Sequence, residues 1–477
     1  MILENLQKEL EELYNQKQEI ENKIKKIEKQ INSKIKSFIT LKDAIYIDKQ
    51  YLPTIILKKL KSIASFENPQ IKILQNLRKP IYNIPKTIRT FEETKEKLIL
   101  PRGLMRDVIS IFKYYNLNTT FIDKRFVKKF LFNNIKLPPR DEQTVAIDNI
   151  LKKDFSIFVA PPGYGKTFIA SKIIEKRGVN TLVVVNKNML LDQWIERFIQ
   201  YFGYTKKDIG FLGKSKNRLN GNLDIATMQS LKNNADIIKQ YSFVIVDECH
   251  HIPAVTFEKI IKKFSGKYIL GLSATPKRKD EMETLLFHQL GYISYEIKNK
   301  KTSKNKLIVI EDDTIEDVDN FAELLNEITT NDKRNQLIIN LIKQYKNRKI
   351  LVLTDRIEHI ENLELLLKYE GIKFTSIHGS LKKDIQEKNM KDIQKSSLVL
   401  ATASFFGEGI DFAHLDTIIF TMPISYYGRL VQYLGRIGRG GSDSLAIDIL
   451  DIKNKFALSS FKKRKDGYKQ LHYVRVN

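Results

Sequence analysis

The stretch APPGYGKT at residues 160–167 constrains this chain more than any other. It follows an apolar run, FSIFVA (155–160), and precedes a stretch with helical spacing. Gly163 and Gly165 let the backbone turn tightly, so that its amides can point at phosphate oxygens. Lys166 can reach β- and γ-phosphates, and Thr167 can offer its hydroxyl to Mg²⁺. The first glycine usual in this pattern is Ala160 here. The bland alternative is a chance Gly-rich turn, and the flanking strand and helix argue against it.

Such a loop belongs to a sheet of parallel strands. The chain supplies candidate strands at 155–160, 181–185 (TLVVV), 223–227 (LDIAT), 243–248 (FVIVDE) and 268–274 (YILGLSA), with helical stretches between them. The pattern repeats at 349–355 (KILVLTD), 374–378 (FTSIH), 398–402 (LVLAT), 417–423 (TIIFTMP) and 445–450 (LAIDIL). Strand–helix alternation of this kind predicts α/β lobes with parallel sheets. The boundaries read as lobe 1 over 138–300, a linker over 301–330 and lobe 2 over 331–455. Residues 456–477 read as a basic C-terminal helix or tail, either gripping nucleic acid nonspecifically or simply a solvated end.

Residues 1–38 carry Leu3, Leu6, Leu10, Leu13, Ile20, Ile24, Ile27, Ile31 and Phe38 in alternating steps of three and four, interrupted by Lys17 and Lys34. That is a heptad seam. It predicts a coiled coil that pairs with a copy of itself or with another protein, or one amphipathic helix folded back on its own chain. Residues 39–137 are broken by Pro53, Pro69, Pro80, Pro85 and Pro101, which predicts a compact mixed domain of unreadable chemistry.

Composition bounds the function. With 81 Lys+Arg against 56 Asp+Glu, the net charge is +25. The balance favours a polyanionic partner, most simply nucleic acid; an AT-rich genome favouring Lys, Ile and Asn is the bland alternative. The single cysteine, Cys249, excludes an intrachain disulfide and a cysteine-built zinc site. Apolar runs fall far short of the ~18 residues of a membrane span. The expectation is a cytoplasmic protein without membrane contact, nucleoid-associated in a bacterium.

The second chemical feature is FVIVDECHH (243–251). An apolar strand delivers Asp247 and Glu248 at its C-terminal end, the edge where open α/β sheets bind ligands. Asp247 suits Mg²⁺ coordination, and Glu248 can polarise a water for attack on a γ-phosphate. His250 and His251 are adjacent on one strand end, a poor arrangement for a shared metal ion.

With these residues in view, the chain resembles a superfamily 2 helicase with a DECH box. The resemblance implies two tandem RecA-like lobes, ATP and Mg²⁺ as cofactors, and nucleotide contacts from Pro162, Gly163, Tyr164, Gly165, Lys166 and Thr167. Arg140 and Gln143 in PPRDEQ resemble an adenine-reading motif. Ser273 and Thr275 in SAT resemble the motif coupling hydrolysis to lobe movement. In lobe 2, TDR (354–356) and HGS (378–380) sit in order. ATASFFGEGID (401–411), with Gly409 and Asp411 toward the nucleotide, resembles motif V. QYLGRIGR (432–439) resembles motif VI, with Gln432 coupling the lobes and Arg436 and Arg439 as arginine fingers.

For nucleic acid, the resemblance implies contacts from Gln193, Trp194, Thr227, Gln229, Ser230 and Thr402. The spacing of Trp194 with Leu190, Leu191 and Phe198 favours packing over base stacking. GLSATPKRKDE (271–281) resembles the XPB-like branch, where an Arg-Glu-Asp element follows SAT; Arg278 would head that element, and Lys279 departs from its acidic middle residue. Residues 41–477 resemble the helicase portion of TOTE conflict-system proteins through ASFENPQ, LPRGL, FIDKR, VDECHHIPAVTFE and FKKRKDGYKQLHYV. That resemblance implies a separately encoded primase or nuclease partner that the coiled coil recruits. The implied activity is ATP-driven unwinding of or movement on DNA, single-stranded or duplex, with 3′-to-5′ polarity. Duplex translocation without unwinding, RNA unwinding and an ATP-switched DNA-binding scaffold are the alternatives.

Overall fold

The computed structural model describes residues 2–34, 36–50, 52–78, 80–251, 254–275, 281–297, 305–406, 414–424, 427–437 and 443–477. Its first element is one helix, α1 (Ile2–Lys34). The heptad spacing predicted helix as far as 38, but Phe38 lies on a strand. Lys36–Leu41 alternates outward and inward residues, burying Ser37, Ile39 and Leu41 in a sheet. That two-residue period overrides the helical one. Along α1, Leu10, Leu13, Ile20, Ile24 and Ile27 are 50–57% exposed, so this part of the seam is not folded back on its own chain.

The block after α1 is a small mixed domain. Its strands are β1 (Lys36–Leu41), β2 (Ile45–Asp48), β3 (Ser65–Glu67), β4 (Thr87–Arg89), β5 (Glu92–Glu93), β6 (Lys97–Leu100) and β7 (Asn118–Asp123). Five form a sheet in the order β5-β6-β2-β1-β7, while β3 pairs with β4. Helices Thr54–Ile63 and Met105–Tyr114 close the core with Ile56, Leu60, Val108 and Phe112.

This domain is fixed to lobe 1 by polar groups, Arg102, Thr90 and His288 among them buried. Arg102 is 2% exposed; its Nη1 donates to the carbonyl of Gly266 (3.0 Å), and its guanidinium lies over Phe264 at 4.8 Å. Arg125 donates to Asp154 (2.8 Å) and to the carbonyl of Lys267 (3.1 Å). Thr90 Oγ1 is 2.8 Å from His288 Nδ1, and Phe66 meets that imidazole edge-on.

Lobe 1 is an eight-stranded sheet. Its strands are β8 (Phe155–Val159), β9 (Thr181–Val185), β10 (Gly210–Gly213), β11 (Lys216–Arg218), β12 (Leu223–Thr227), β13 (Phe243–Val246), β14 (Tyr268–Ser273) and β15 (Ile293–Glu296), in the order β11-β10-β12-β9-β13-β14-β8-β15. All pairings except that of β11 are parallel. Strands β9, β12 and β13 are buried throughout, which is why they read as unbroken apolar runs. Helices Lys166–Arg177 and Asn188–Phe202 pack on one face through Ile169, Ile173, Trp194 and Phe198.

Lobe 2 is a parallel seven-stranded sheet of β16 (Lys306–Asp312), β17 (Ile350–Thr354), β18 (Thr375–Ile377), β19 (Leu398–Thr402), β20 (Thr417–Phe420), β21 (Leu445–Asp451) and β22 (Val474–Arg475), ordered β18-β19-β17-β20-β21-β16-β22. Two boundaries need correction. The stretch expected as a linker contains β16, which pairs with β21 along its whole length because Leu307 and Val309 face the core. The expected basic tail is also part of the lobe. Helix Lys455–Gln470 lays Arg464 against Asp448 through two hydrogen bonds of 2.8 and 2.9 Å, Tyr468 donates to the same carboxylate at 2.9 Å, and β22 closes the sheet edge. Arg464 is 2% exposed, so it is no part of a solvated grip. No described helix is long and apolar enough to cross a membrane.

Candidate active site

The loop 160–165 leaves the C-terminal end of β8 and enters helix Lys166–Arg177. Gly163 (φ +78°) and Gly165 (φ +95°) adopt the left-handed conformation that glycine takes without penalty. Lys166 Nζ donates to the carbonyl of Ala160 (3.1 Å) and lies 3.5 Å from Glu248 Oε1. The lysine is thus held between its own loop and the acidic strand end.

PPRDEQ, which runs into the first turn of helix Asp141–Leu151, is wired to that loop. Arg140 Nη2 (2.8 Å) and Gln143 Nε2 (3.0 Å) both donate to the carbonyl of Tyr164, and Arg140 lies over its ring at 5.0 Å. Gln143 Oε1 in turn accepts from the Arg140 amide (3.0 Å). The Tyr164 hydroxyl donates to Glu142, a residue that sequence reasoning did not single out. Burial and the Glu142 carboxylate push the Tyr164 phenol up to about 12.

Strand β13 carries Asp247 and Glu248 to the same edge. Asp247 is buried, and its carboxylate accepts from Trp194 Nε1 (2.8 Å) and from the Glu248 amide (2.9 Å). Burial, reinforced by the Glu248 carboxylate, raises its pKa above the usual carboxylate range; the Trp194 hydrogen bond and Lys166 oppose that shift. Glu248 itself has φ +43°, a left-handed conformation uncommon for a residue with a side chain. His250 Nδ1 lies 3.4 Å from Glu248 Oε2 and 2.8 Å from Ser273 Oγ. Ser273 Oγ also accepts from the Thr275 amide (3.1 Å). The acidic pair therefore lies beside one imidazole that is hydrogen-bonded to SAT at the end of β14.

These groups line an inter-lobe cleft of about 840 Å³. Lobe 1 contributes Pro162, Gly163, Gly165, Lys166, Thr167, Asp247 and Glu248; lobe 2 contributes Ser404, Gln432 and Arg436, together with Arg429, which the sequence did not flag. The lobes touch closely at Gly435, where an added Cβ would stand 2.9 Å from Cγ and Cδ of Pro162. Arg278, Gly409, Asp411 and Arg439 lie outside the described residues.

Several of the residues expected to contact nucleic acid are buried. Trp194 is 2% exposed, packs edge-on against Phe198 and bonds Asp247. Gln193 lines the inter-lobe cleft beside it, so both sit with Lys166, Asp247 and Glu248. Thr227 is buried at a helix N-terminus, where its hydroxyl accepts from the Ser230 amide (3.3 Å) and donates to Ser230 Oγ (2.8 Å). Thr402 is buried at the end of β19 and accepts from Ser404 Oγ (3.4 Å). Of that set, Gln229 is exposed and Ser230 half-buried.

Two family models match this architecture: "Type III restriction enzyme, res subunit" over residues 136–278, and "Helicase conserved C-terminal domain" over residues 333–441. The chain belongs to the superfamily 2 helicases. It is, as such, a nucleic-acid-dependent ATPase. "Probable helicase D10" of Escherichia phage T5 is 28% identical over 341 residues, covering 69% of this chain and 75% of the relative. "DNA 3'-5' translocase XPB2" of Sulfurisphaera tokodaii is 24% identical over 388 residues, covering 69% and 86%. Among solved structures, S. cerevisiae Dbp5 bound to RNA and ADP BeF3 superposes with a TM-score of 0.53 at 16% identity, covering 71% of this chain and 90% of that one. That likeness is one of fold.

Proposed function

We propose that this helicase acts on DNA, coupling ATP hydrolysis in the inter-lobe cleft to 3′-to-5′ movement along or opening of the duplex. The observation that carries the chemistry is the cleft itself. Lys166, Asp247 and Glu248 from lobe 1 and Arg436 from lobe 2 line one cavity. The choice of DNA rests on the similarity to the DNA 3'-5' translocase along 69% of this chain.

In this reading the left-handed glycines turn the loop amides toward the triphosphate. Thr167 and Asp247 fit a magnesium ion: a buried carboxylate that resists ionisation is stabilised by a nearby cation. A magnesium ion held by these two residues would neutralise phosphate charge. Glu248 orients the attacking water and takes its proton, with His250 and Lys166 fixing the carboxylate. Arg436 brings positive charge from lobe 2 to the γ-phosphate. A contact made by the second lobe links the state of the nucleotide to the separation of the lobes. His250 carries that state to Ser273 and Thr275. Repair and conflict with mobile elements or phage are the settings that the XPB-like and TOTE-type resemblances suggest.

The test is strand displacement with duplexes bearing a 3′ tail, a 5′ tail or no tail. Unwinding of the 3′-tailed DNA, lost in Glu248→Gln while ATP binding persists, supports the proposal. ATP-driven displacement of a triplex strand from blunt DNA without unwinding points instead to a duplex translocase. Unwinding confined to RNA overturns the DNA assignment.

A further inference from the structure

Helix α1 spans 33 residues, or about 50 Å at 1.5 Å per residue. Its seam residues Leu10, Leu13, Ile20, Ile24 and Ile27 stand 50–57% exposed along one stripe. A contiguous apolar stripe of this kind marks an interaction face. The 3.5-residue period suits a left-handed supercoil with another helix.

The charges of α1 specify what covers it. Residues 4–21 contain six glutamates and two lysines, a net charge of −4. Residues 22–34 contain five lysines and one glutamate, a net charge of +4. A helix divided in this way is complementary to itself when reversed, and repels itself when laid side by side in the same sense.

The seam points the same way. An antiparallel register that centres the pair between residues 18 and 19 sets Leu10 opposite Ile27 of the second copy, Leu13 opposite Ile24 and Lys17 opposite Ile20. The two-fold axis repeats each layer, and Leu10 and Leu13 each meet an isoleucine. Lys17 then lies over an aliphatic side chain, along which its methylenes can run while the ammonium reaches water. A parallel, in-register pair would instead stack Lys17 on Lys17 within the core and overlay the two acidic halves. One polar residue at a seam position is a known means of fixing orientation.

We infer that α1 pairs with α1 of a second copy of this chain, antiparallel, making the protein a two-fold dimer. The contact is isologous and therefore closed at two subunits. Each motor joins α1 at its C-terminal end through β1. Antiparallel pairing thus sets the two motors at opposite ends of a rod about 50 Å long. The inter-lobe clefts do not meet, so each motor is free to engage its own stretch of nucleic acid. This inference does not depend on which nucleic acid the motor uses.

The test uses the full chain. Light scattering should give twice the 55.6 kDa of one chain. The only native cysteine, Cys249, is buried, which leaves little background for cross-linking. Under mild oxidation, Leu13→Cys alone should stay uncross-linked, because the two thiols would be about 16 Å apart along the axis at 1.5 Å per residue. Leu13→Cys mixed with Ile24→Cys chains should form a disulfide-linked dimer. Leu13→Glu with Ile24→Glu should give a monomer with ATP binding intact. A wild-type monomer, or cross-linking of Leu13→Cys to itself, overturns the inference.

Discussion

Trp194 Nε1 donates a 2.8 Å hydrogen bond to Asp247 Oδ2, joining helix Asn188–Phe202 to the acidic end of β13. Both side chains are buried, and the indole is the only one in the chain. A hydrogen bond to a charged group is worth ~1.5–3 kcal/mol. Trp194 therefore orients the carboxylate proposed to hold magnesium.

Trp194→Phe keeps the ring packing against Phe198 and removes the donor. Its kcat for ATP hydrolysis should fall roughly tenfold or more, since ~1.4 kcal/mol corresponds to a factor of ten. The Mg²⁺ concentration for half-maximal rate should rise with it. An unchanged magnesium dependence in a steady-state titration would contradict the positioning role. In the wild type, indole fluorescence should respond to Mg·ADP binding, because Trp194 lines the cleft.

Gly435→Ala places a methyl group 2.9 Å from Pro162 Cγ and Cδ and 2.9 Å from the Val431 carbonyl. The Pro162 contact forces the lobes apart at the phosphate loop, whereas the Val431 contact lies within lobe 2. We expect kcat to drop by roughly tenfold while lobe 1 still binds nucleotide, because a shift costing ~1.4 kcal/mol in the closed form is enough. Fluorescent-nucleotide binding together with turnover separates the two effects; equal loss of both would place the damage in folding instead.

Stability should fall in mild acid. Burial lowers the His288 pKa to about 4, and burial with the Arg334 charge lowers that of His359 to about 3. Both are neutral in the fold, whereas an unfolded histidine titrates near 6.5. The stability they confer is complete above pH 6.5 and is lost as pH falls from 6.5 toward those folded values. At pH 5.5 each costs roughly 1.4 kcal/mol. Thermal melts from pH 7.5 to 5 should show a falling Tm, and His288→Asn should flatten part of that slope. A melting temperature that holds steady to pH 5 would show that these imidazoles are not buried neutral.

Arg464→Ala leaves Asp448 buried at 0% exposure without its bidentate partner. Breaking one side of a buried pair costs ~3–5 kcal/mol. Denaturant unfolding should show lobe 2 destabilised by that order. Unchanged stability with weakened DNA binding would restore the reading of 456–477 as a nucleic-acid grip.

What the sequence disclosed follows from physics. FVIV, TLVVV and ILVLT were legible as strands because helices cover both sheet faces and select unbroken apolar runs. The phosphate loop was legible because tight turns toward phosphate demand Gly163 and Gly165. Strand β16 escaped because the lysine-rich run KNKKTSKNK (298–306) leads into it and has the composition of a loop. Arg464 escaped because a charge buried on Asp448 has the same letter as a solvated one. The spacing of Trp194 with Leu190, Leu191 and Phe198 disclosed its packing, but not its bond to an aspartate 53 residues away. Gly435 belonged to a recognised motif, yet only the structure shows that Pro162 is what requires it.

The most direct test of the account is steady-state ATP hydrolysis at fixed low salt with no nucleic acid, single-stranded DNA, blunt duplex and RNA. Phosphate contacts weaken steeply as salt rises, so the salt must be held constant. Strong stimulation by DNA, abolished in Lys166→Ala, is the expected result. Stimulation by RNA alone, or turnover that survives Lys166→Ala, would contradict it.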